Sequence, residues 1–372
     1  MNAFNAMEVL KIDQREKWEM TLDEGCQSDF YHTHAYHALS EDQGEGIAHF
    51  WVYREGDYMI ALPLLVRSLE DVSGLEEVGK GWFDAASVYG YTGPVASHKD
   101  IPEIVVKNFQ KALEESLRER RIISVFSRLH PLIPNGKIIA GLGNSICCGT
   151  TVAMDLTLTP DEQWKGIRMN HQRGIKKLRR AGYTFIHDEA GEYLSQFASI
   201  YTETMERVEA EEKYFFDDAY FEGLFKKGGR DVDLFFLASE GSPVCGGIFL
   251  ERSGILEFHL GGTRDDQLHH SPMKLLVDEV RLWATSKGLR VLHLGGGKDS
   301  LFHFKTGFSE RTFPFSTWQW VVNSEAYEAV CRCKAAFNSR LGLRVSSQNF
   351  FPPYRRIAEP LGKPLSSEGG EE

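Results

Sequence analysis

Three observations predict an α/β (α+β) protein with two ordinary domains. The 372 residues are 42% apolar, enough for two separate cores at roughly 150 residues per domain. In both halves, short apolar runs with strand patterning alternate with stretches of helical spacing. Each half also holds a strand, glycine turn, strand unit. The first joins residues 48–53 and 58–66 around Glu55-Gly56-Asp57, and the second joins 234–238 and 244–250 around Glu240-Gly241-Ser242. This echo is compatible with duplication without establishing it, because the motif is so common.

In the first half, 102–118 has the spacing of an amphipathic helix and 122–126 reads as a buried strand. In the second, a strand at 152–158 runs into a well-specified helix start. Thr159-Pro160-Asp161-Glu162 is a capping box with proline at the first helical position. Trp164, Ile167, His171, Ile175 and Leu178 then fall on one stripe. A strand beginning near Leu256 closes at Gly261-Gly262, where a splayed end would free backbone N–H groups to hold a carbonyl. Residues 272–287 follow as a helix, with Ser271 as N-cap, Pro272 at the first position, Met273, Leu276, Val277, Val280, Trp283 and Ala284 at helical spacing, and Gly288 to end it. Val291, Leu292 and Leu294, interrupted by His293, suit a strand buried on both faces and stopped by Gly295-Gly296-Gly297. Asp299 is expected to cap a short helix, and 324–339 to form a longer one. The domains are placed at 1–150 and 151–345, with 346–372 as an extension ending in a loose polar tail over 366–372.

Several function classes are disfavoured. The longest apolar run, 58–66, contains Pro63 and falls well short of the ~20 residues that span a bilayer. The N-terminus carries Glu8, Lys11 and Asp13 without a secretory pattern, so a cytoplasmic location is expected. The six cysteines have neither zinc spacing nor disulfide density and read as reduced thiols. His32, His34 and His37 are spaced around a helix rather than along one face, and no metal is expected there. The glycine run before Asp299 lacks the lysine and hydroxyl of a P-loop.

Phe304-Lys305-Thr306-Gly307-Phe308 follows the second glycine-ended strand. Together with residues 88–94 (Val-Tyr-Gly-Tyr-Thr-Gly-Pro), Asn170-His171-Gln172-Arg173, Thr204-Met205-Glu206-Arg207 and Tyr214-Phe215-Phe216, it forms an ordered set across roughly residues 30–320. In this the chain resembles the Fem-type tandem-GNAT acyltransferases, the peptidoglycan-bridge aminoacyltransferases and their acyltransferase relatives. The resemblance implies tandem GNAT-like domains, each a mixed, mostly antiparallel sheet flanked by helices, with a cleft between them and the acyl-transfer site in the second. It implies N-acyl or N-aminoacyl transfer, from acyl-CoA or aminoacyl-tRNA, to an amine of a cell-envelope precursor, peptidoglycan or polysaccharide. Acyl transfer to an amine needs a neutral nucleophile, stabilisation of the developing oxyanion and a route for the departing proton. Lys305, framed by Phe304 and Phe308, is the expected electrostatic group. Glu206, Tyr214, His259, Tyr89 and Tyr91 are the candidates for proton removal or substrate contact, and Gly296 and Gly297 would leave room for substrate.

Net charge is −11, yet 163–187 and 329–358 contain no acidic residue. In an acidic chain such zones suit a polyanion. Arg168, Asn170, Arg173 and Lys176 are therefore expected to meet the phosphates of a donor or of a small or lipid-linked precursor, with tRNA and peripheral contact with an anionic membrane as further partners. One departure limits the resemblance. Ordinary acetyltransferases cradle the coenzyme A pyrophosphate with a glycine-containing loop, whereas here the loop reads Arg264-Asp265-Asp266-Gln267-Leu268-His269-His270, with two carboxylates and no glycine. The alternative class is a non-enzymatic nucleic-acid-binding module using the basic helix 165–180.

Overall fold

A computed structural model describes residues 6–25, 27–134, 136–344, 350–357 and 359–360; Cys26, residues 346–349 and the expected tail over 366–372 lie outside them. The described chain divides into two compact units. One comprises the residues up to Cys148 and those from Phe315 onward, the other Gly149–Pro314.

In chain order the first segment forms β1 (Ala6–Lys11), α1 (Arg15–Glu24), α2 (His34–Asp42), β2 (Ile47–Glu55), β3 (Tyr58–Ser68), β4 (Phe83–Ala86), β5 (Val95–Ala96), α3 (Glu103–Glu119), β6 (Ile122–Arg128), α4 (Gly136–Ile139) and β7 (Asn144–Asp155). The middle segment forms α5 (Pro160–Gly166), α6 (Met169–Arg180), β8 (Thr184–Asp188), α7 (Leu194–Arg207), α8 (Asp218–Gly228), β9 (Val232–Ser239), β10 (Ser242–Arg252), β11 (Ile255–Thr263), α9 (Met273–Ser286), β12 (Val291–Gly295) and α10 (Asp299–Lys305). The last adds β13 (Thr312–Val321), α11 (Ser324–Arg340), β14 (Leu343–Arg344) and β15 (Glu359–Pro360).

The two units share one strand plan. In the first, β1, β2, β3 and β4 run antiparallel in turn, β4 pairs parallel with β6, and β6 pairs antiparallel with β13. In the second, β8, β9, β10 and β11 run antiparallel in turn, β11 pairs parallel with β12, and β12 pairs antiparallel with β7. The hairpins seen in the sequence are the second and third strands of each sheet, so their echo reflects a repeated topology. The β9–β10 turn holds both central residues, Glu240 and Gly241, at positive φ, matching the twist of the strands it joins.

The C-terminal boundary differs from the sequence expectation of 345. After Pro314 the chain returns to its first unit, because β13 registers on β6 from Thr317 opposite Arg128 to Val321 opposite Ser124. Arg355 follows the same path. It sets two nitrogens on the buried Asp84 carboxylate, at 2.9 and 3.1 Å, alongside Arg67 at 2.8 Å. This part of the acid-free C-terminal stretch satisfies a buried charge rather than facing a polyanion.

In the first unit, α3 buries Val105, Phe109, Leu113 and Leu117 against the sheet, the spacing of one helix face. His32, His34 and His37 are buried beside Trp18, with ring nitrogens of His34 and His37 on the Ile12 and Thr33 carbonyls at 2.6 and 3.0 Å. In the second unit, alternation along β9 sends Phe235 toward Trp283 of α9 and Phe236 toward Phe197 of α7. Helices α6 and α9 thus cover one face of that sheet, and α7 and α8 the other. Among the described residues, no helix is long and apolar enough to cross a membrane.

Candidate active site

The second sheet opens where the sequence placed its glycines. Parallel pairing of β11 with β12 covers only Ile255–Glu257 against Val291–His293. Beyond that rung β11 continues to Thr263, still paired with β10 through Gly261 and Gly262. On the β12 side, the backbone of residues 258–263 is therefore outside the ladder. Glycine at 262 also serves packing, since a Cβ there would stand 2.8 Å from the Ile200 carbonyl of α7. β12 stops as Gly295 and Gly297 take positive φ values of 70° and 146°, conformations that side chains resist.

Lys305 reaches this strand end. Its ammonium, half-buried at the C-terminus of α10, donates to the Gly296 carbonyl. The flanking Phe304 and Phe308 meet edge to face, with centroids 5.3 Å apart, and both pack against the His171 ring, at 5.4 and 4.8 Å.

The position of Lys305 is enforced from α6. A continuous helix was expected after the capping box at Thr159, which is present in full. Instead the chain breaks at Ile167, which is extended, and Gln172 turns its amide onto the Trp164 and Ile167 carbonyls at 2.9 and 2.8 Å. The break lets the Arg168 N–H donate to the Gly307 carbonyl at 2.8 Å. The Arg168 guanidinium bonds Thr306 Oγ1 at 3.2 Å and the His303 ring at 3.0 Å, and His171 Nε2 lies 2.9 Å from the Phe304 carbonyl. Lys305 is thus held on both sides. Arg168, expected to meet phosphate, is engaged in this clamp.

The remaining expected residues divide between the units. Arg173 and Asn170 are exposed on α6, Asn170 with its amide oxygen 2.9 Å from His171 Nδ1, and Lys176 lies over the Trp164 ring at 5.6 Å. Arg179 pairs with Asp278 and Glu279 of α9 at 2.7 and 2.8 Å. Lys165, Lys177 and Arg180 are exposed. Glu206 is exposed on α7, whereas Tyr214 is buried and its carbonyl accepts from the Tyr201 hydroxyl at 2.9 Å. His259 is buried with Nε2 2.7 Å from the Tyr220 hydroxyl, and burial lowers its pKa to about 3. Tyr89 and Tyr91 belong to the first unit, Tyr89 beneath Arg128 and Tyr91 against His130 and Phe315. The buried pair Glu257 and His293 was not singled out in the sequence, where its one visible signal is a histidine inside an apolar run.

After β11 the loop is closed by carboxylates. Asp265 N–H donates to Glu203 Oε1 at 2.6 Å, Arg264 reaches Glu203 Oε2 at 3.4 Å, and Arg207 pairs with Asp265. Ser271, expected as an N-cap, has φ of 54° and ends the preceding 3-10 turn, leaving Pro272 at the cap without a side-chain bond.

Two outcomes follow from this packing. A Cβ on Gly307 would lie 2.2 Å from His171 Nε2, so Gly307→Ala is expected to cost about 1–3 kcal/mol in chemical denaturation and to lower turnover by displacing Lys305. Burial also lowers His171 and His37 to about 4. Their folded values lie below the unfolded 6.5, so their contribution is complete above pH 6.5 and is lost as pH falls through the folded value. Including His259, stability is expected to drop between pH 6.5 and about 4 by up to about 1.4 kcal/mol per pH unit for each histidine, read as denaturation midpoints across that range.

Residues 165–306 match the family model described as acetyltransferase (GNAT) domain. None of the curated proteins compared matches the chain. Among solved structures it resembles the crystal structure of FemX (TM-score 0.68, 12% identity, covering 87% of this chain and 99% of that one). It also resembles L-PGS from Bacillus licheniformis (TM-score 0.54, 15% identity, 87% and 97%). A third likeness is to the C-terminal domain of a putative lysylphosphatidylglycerol synthetase from Agrobacterium fabrum (TM-score 0.53, 15% identity, 89% and 96%). At these identities the structural likenesses establish the fold, and the matched residues 165–306 include the opened ladder, Arg168, His171 and Lys305.

Proposed function

We propose that this chain, an acyltransferase of the GNAT superfamily with a Fem-type tandem fold, transfers an acyl or aminoacyl group to an amine of a cell-envelope precursor at the open end of the β11–β12 ladder. The observation that carries this reading is the Lys305 ammonium, fixed at the Gly296 carbonyl where the ladder opens. The donor carbonyl lies among the freed backbone of residues 258–263. Lys305, half-buried beside the glycine strand end, stabilises the oxyanion as the tetrahedral intermediate forms. Gly296 leaves room for the acyl group, whereas Gly297, expected to do the same, is packed by Leu301, which a Cβ there would meet at 2.7 Å; Arg173, Asn170 and Lys176 meet phosphates of donor or acceptor from α6.

The loop after β11 favours aminoacyl-tRNA over acyl-CoA as donor. Its first amide already holds the Glu203 carboxylate, and a pyrophosphate would have to displace that carboxylate against the charges of Asp265 and Asp266. The likeness to FemX and to L-PGS supports a lipid-linked or phosphorylated acceptor, which a cytoplasmic enzyme would meet at the membrane surface through the basic face of α6.

The test is to mix the pure protein separately with acetyl-CoA, longer acyl-CoAs and aminoacyl-tRNA in the presence of a pool of amines. Mass spectrometry then shows which donor loses its cargo. Transfer from aminoacyl-tRNA alone is expected, transfer from acetyl-CoA would overturn the donor assignment, and no transfer from any donor would overturn the function.

A further inference from the structure

The sequence Thr204-Met205-Glu206-Arg207 has no part in the chemistry above, yet it lies against the opened strand. On α7, Ile200, Glu203, Thr204 and Arg207 fall at the three- and four-residue steps of one helix face, and that face meets the end of β11. Arg264 donates its N–H to the Val244 carbonyl at 3.0 Å, beside β10. Alternation therefore turns the N–H and carbonyl of Thr263 to the opposite edge, the one that β12 leaves after Glu257. The backbone N–H and carbonyl of Gly261, two residues earlier, share that edge.

Helix α7 supplies Thr263 with the partners that β12 does not. The Thr204 hydroxyl accepts the Thr263 N–H at 3.0 Å and donates to the Ile200 carbonyl at 2.9 Å. Arg207 Nη1 donates to the Thr263 carbonyl at 3.1 Å, and the same guanidinium pairs with Asp265. Glu203 accepts the next N–H, that of Asp265, at 2.6 Å. A Cβ on Gly262 would stand 2.8 Å from the Ile200 carbonyl oxygen and 2.9 Å from Thr204 Oγ1, so glycine is what lets helix and strand come within hydrogen-bonding reach. A mid-helix threonine commonly bonds the carbonyl four residues back. Here the same oxygen also takes an amide from a strand 59 residues away.

An open strand edge carries donors and acceptors that closing onto the neighbouring strand would satisfy. A carbonyl-binding edge must instead stay open and fixed, because donors stabilise a developing charge best when they need not reorganise.

We propose that α7 latches β11 open, with Thr204 as the positioning residue that fixes the edge of 258–263 for the donor carbonyl. This rests on the reading of the opened ladder as the acyl-transfer site. Thr204 acts through Thr263 rather than on the reacting atoms.

The test compares Thr204→Val, which keeps the branched shape and removes the hydroxyl, with Thr204→Ser, which keeps the hydroxyl. With the donor that reacts in the screen above, Thr204→Val is expected to lower kcat on the order of 10- to 10²-fold, the donor KM and the Thr204→Ser kcat both staying within about threefold of the unchanged protein. Hydrogen exchange read by mass spectrometry gives a signal independent of turnover. The peptide covering 258–265 is expected to exchange at least about tenfold faster in Thr204→Val, while β9 and α9 keep their protection. Unchanged exchange over 258–265, unchanged turnover in Thr204→Val, or equal losses in the valine and serine variants would overturn the latch and leave the acyl-transfer reading intact. That reading fails separately if the unchanged protein is inactive with every donor, and the positioning role fails with it. If Thr204→Val does not fold by circular dichroism, Arg207→Met removes the donor to the Thr263 carbonyl from a half-buried side chain. Lower kcat with faster exchange over 258–265 then supports the proposal, and either one unchanged overturns it.

Discussion

Lys305→Ala is expected to reduce turnover by about 10²–10³-fold, the usual consequence of removing one donor to a developing oxyanion. Lys305 is half-buried and makes its bond to the Gly296 carbonyl at the end of α10, so its loss leaves the β-ladder and both cores in place. Steady-state kinetics should place the loss in kcat, because the interaction strengthens as charge develops on the carbonyl oxygen. Lys305→Arg should not restore the rate. A planar guanidinium has a different reach and fork, and it would not reproduce the compact ammonium's bond to the Gly296 carbonyl. Full activity in a folded Lys305→Ala protein would remove the electrostatic assignment.

The largest expected stability effect lies away from this site, at Arg281. This guanidinium is 2% exposed and sets two nitrogens on Asp278 Oδ1 at 2.9 and 2.7 Å. Its third nitrogen holds Gln163 Oε1 at 2.8 Å and the Pro160 carbonyl at 3.3 Å. It thereby ties α9 to the capped start of α5. Among the described residues, Arg281→Ala leaves the buried carboxylate with the half-exposed Arg179 as its ion-pair partner, and should cost about 3–5 kcal/mol in chemical denaturation. The double variant Arg281→Met with Asp278→Leu removes both charges and should recover much of that loss. A small effect of Arg281→Ala would show that water reaches Asp278 in solution.

Much of the scaffold was legible because its signals are local. The capping box at Thr159, the positive-φ glycine after α9 and the Glu240-Gly241 turn each depend on residues within one or two turns of chain. Local signals also misled. Ser271 has the chemistry of an N-cap but occupies a left-handed turn, because the 3-10 turn before it ends there. The helix expected to run unbroken through 167 breaks so that Arg168 can meet the Gly307 backbone.

For the proposed site, sequence singled out Lys305, the glycine strand ends and the basic helix as candidates, since residue types and their order are visible in one dimension. It could not assign Arg168 to a clamp, because its partners Thr306 and His303 lie 138 and 135 residues away. Nor could it find Glu257 and His293, which are 36 residues apart and meet only through parallel strand register.

By itself, then, the amino-acid order determined the helices, the hairpins and the chemical groups at hand, since each follows from neighbours along the chain. Tertiary structure alone decided that β13 pairs with β6, that the β11–β12 ladder opens after Glu257, and that Lys305 reaches the Gly296 carbonyl where it opens. Pairing register and burial couple residues distant in sequence, and only the folded chain sets that coupling.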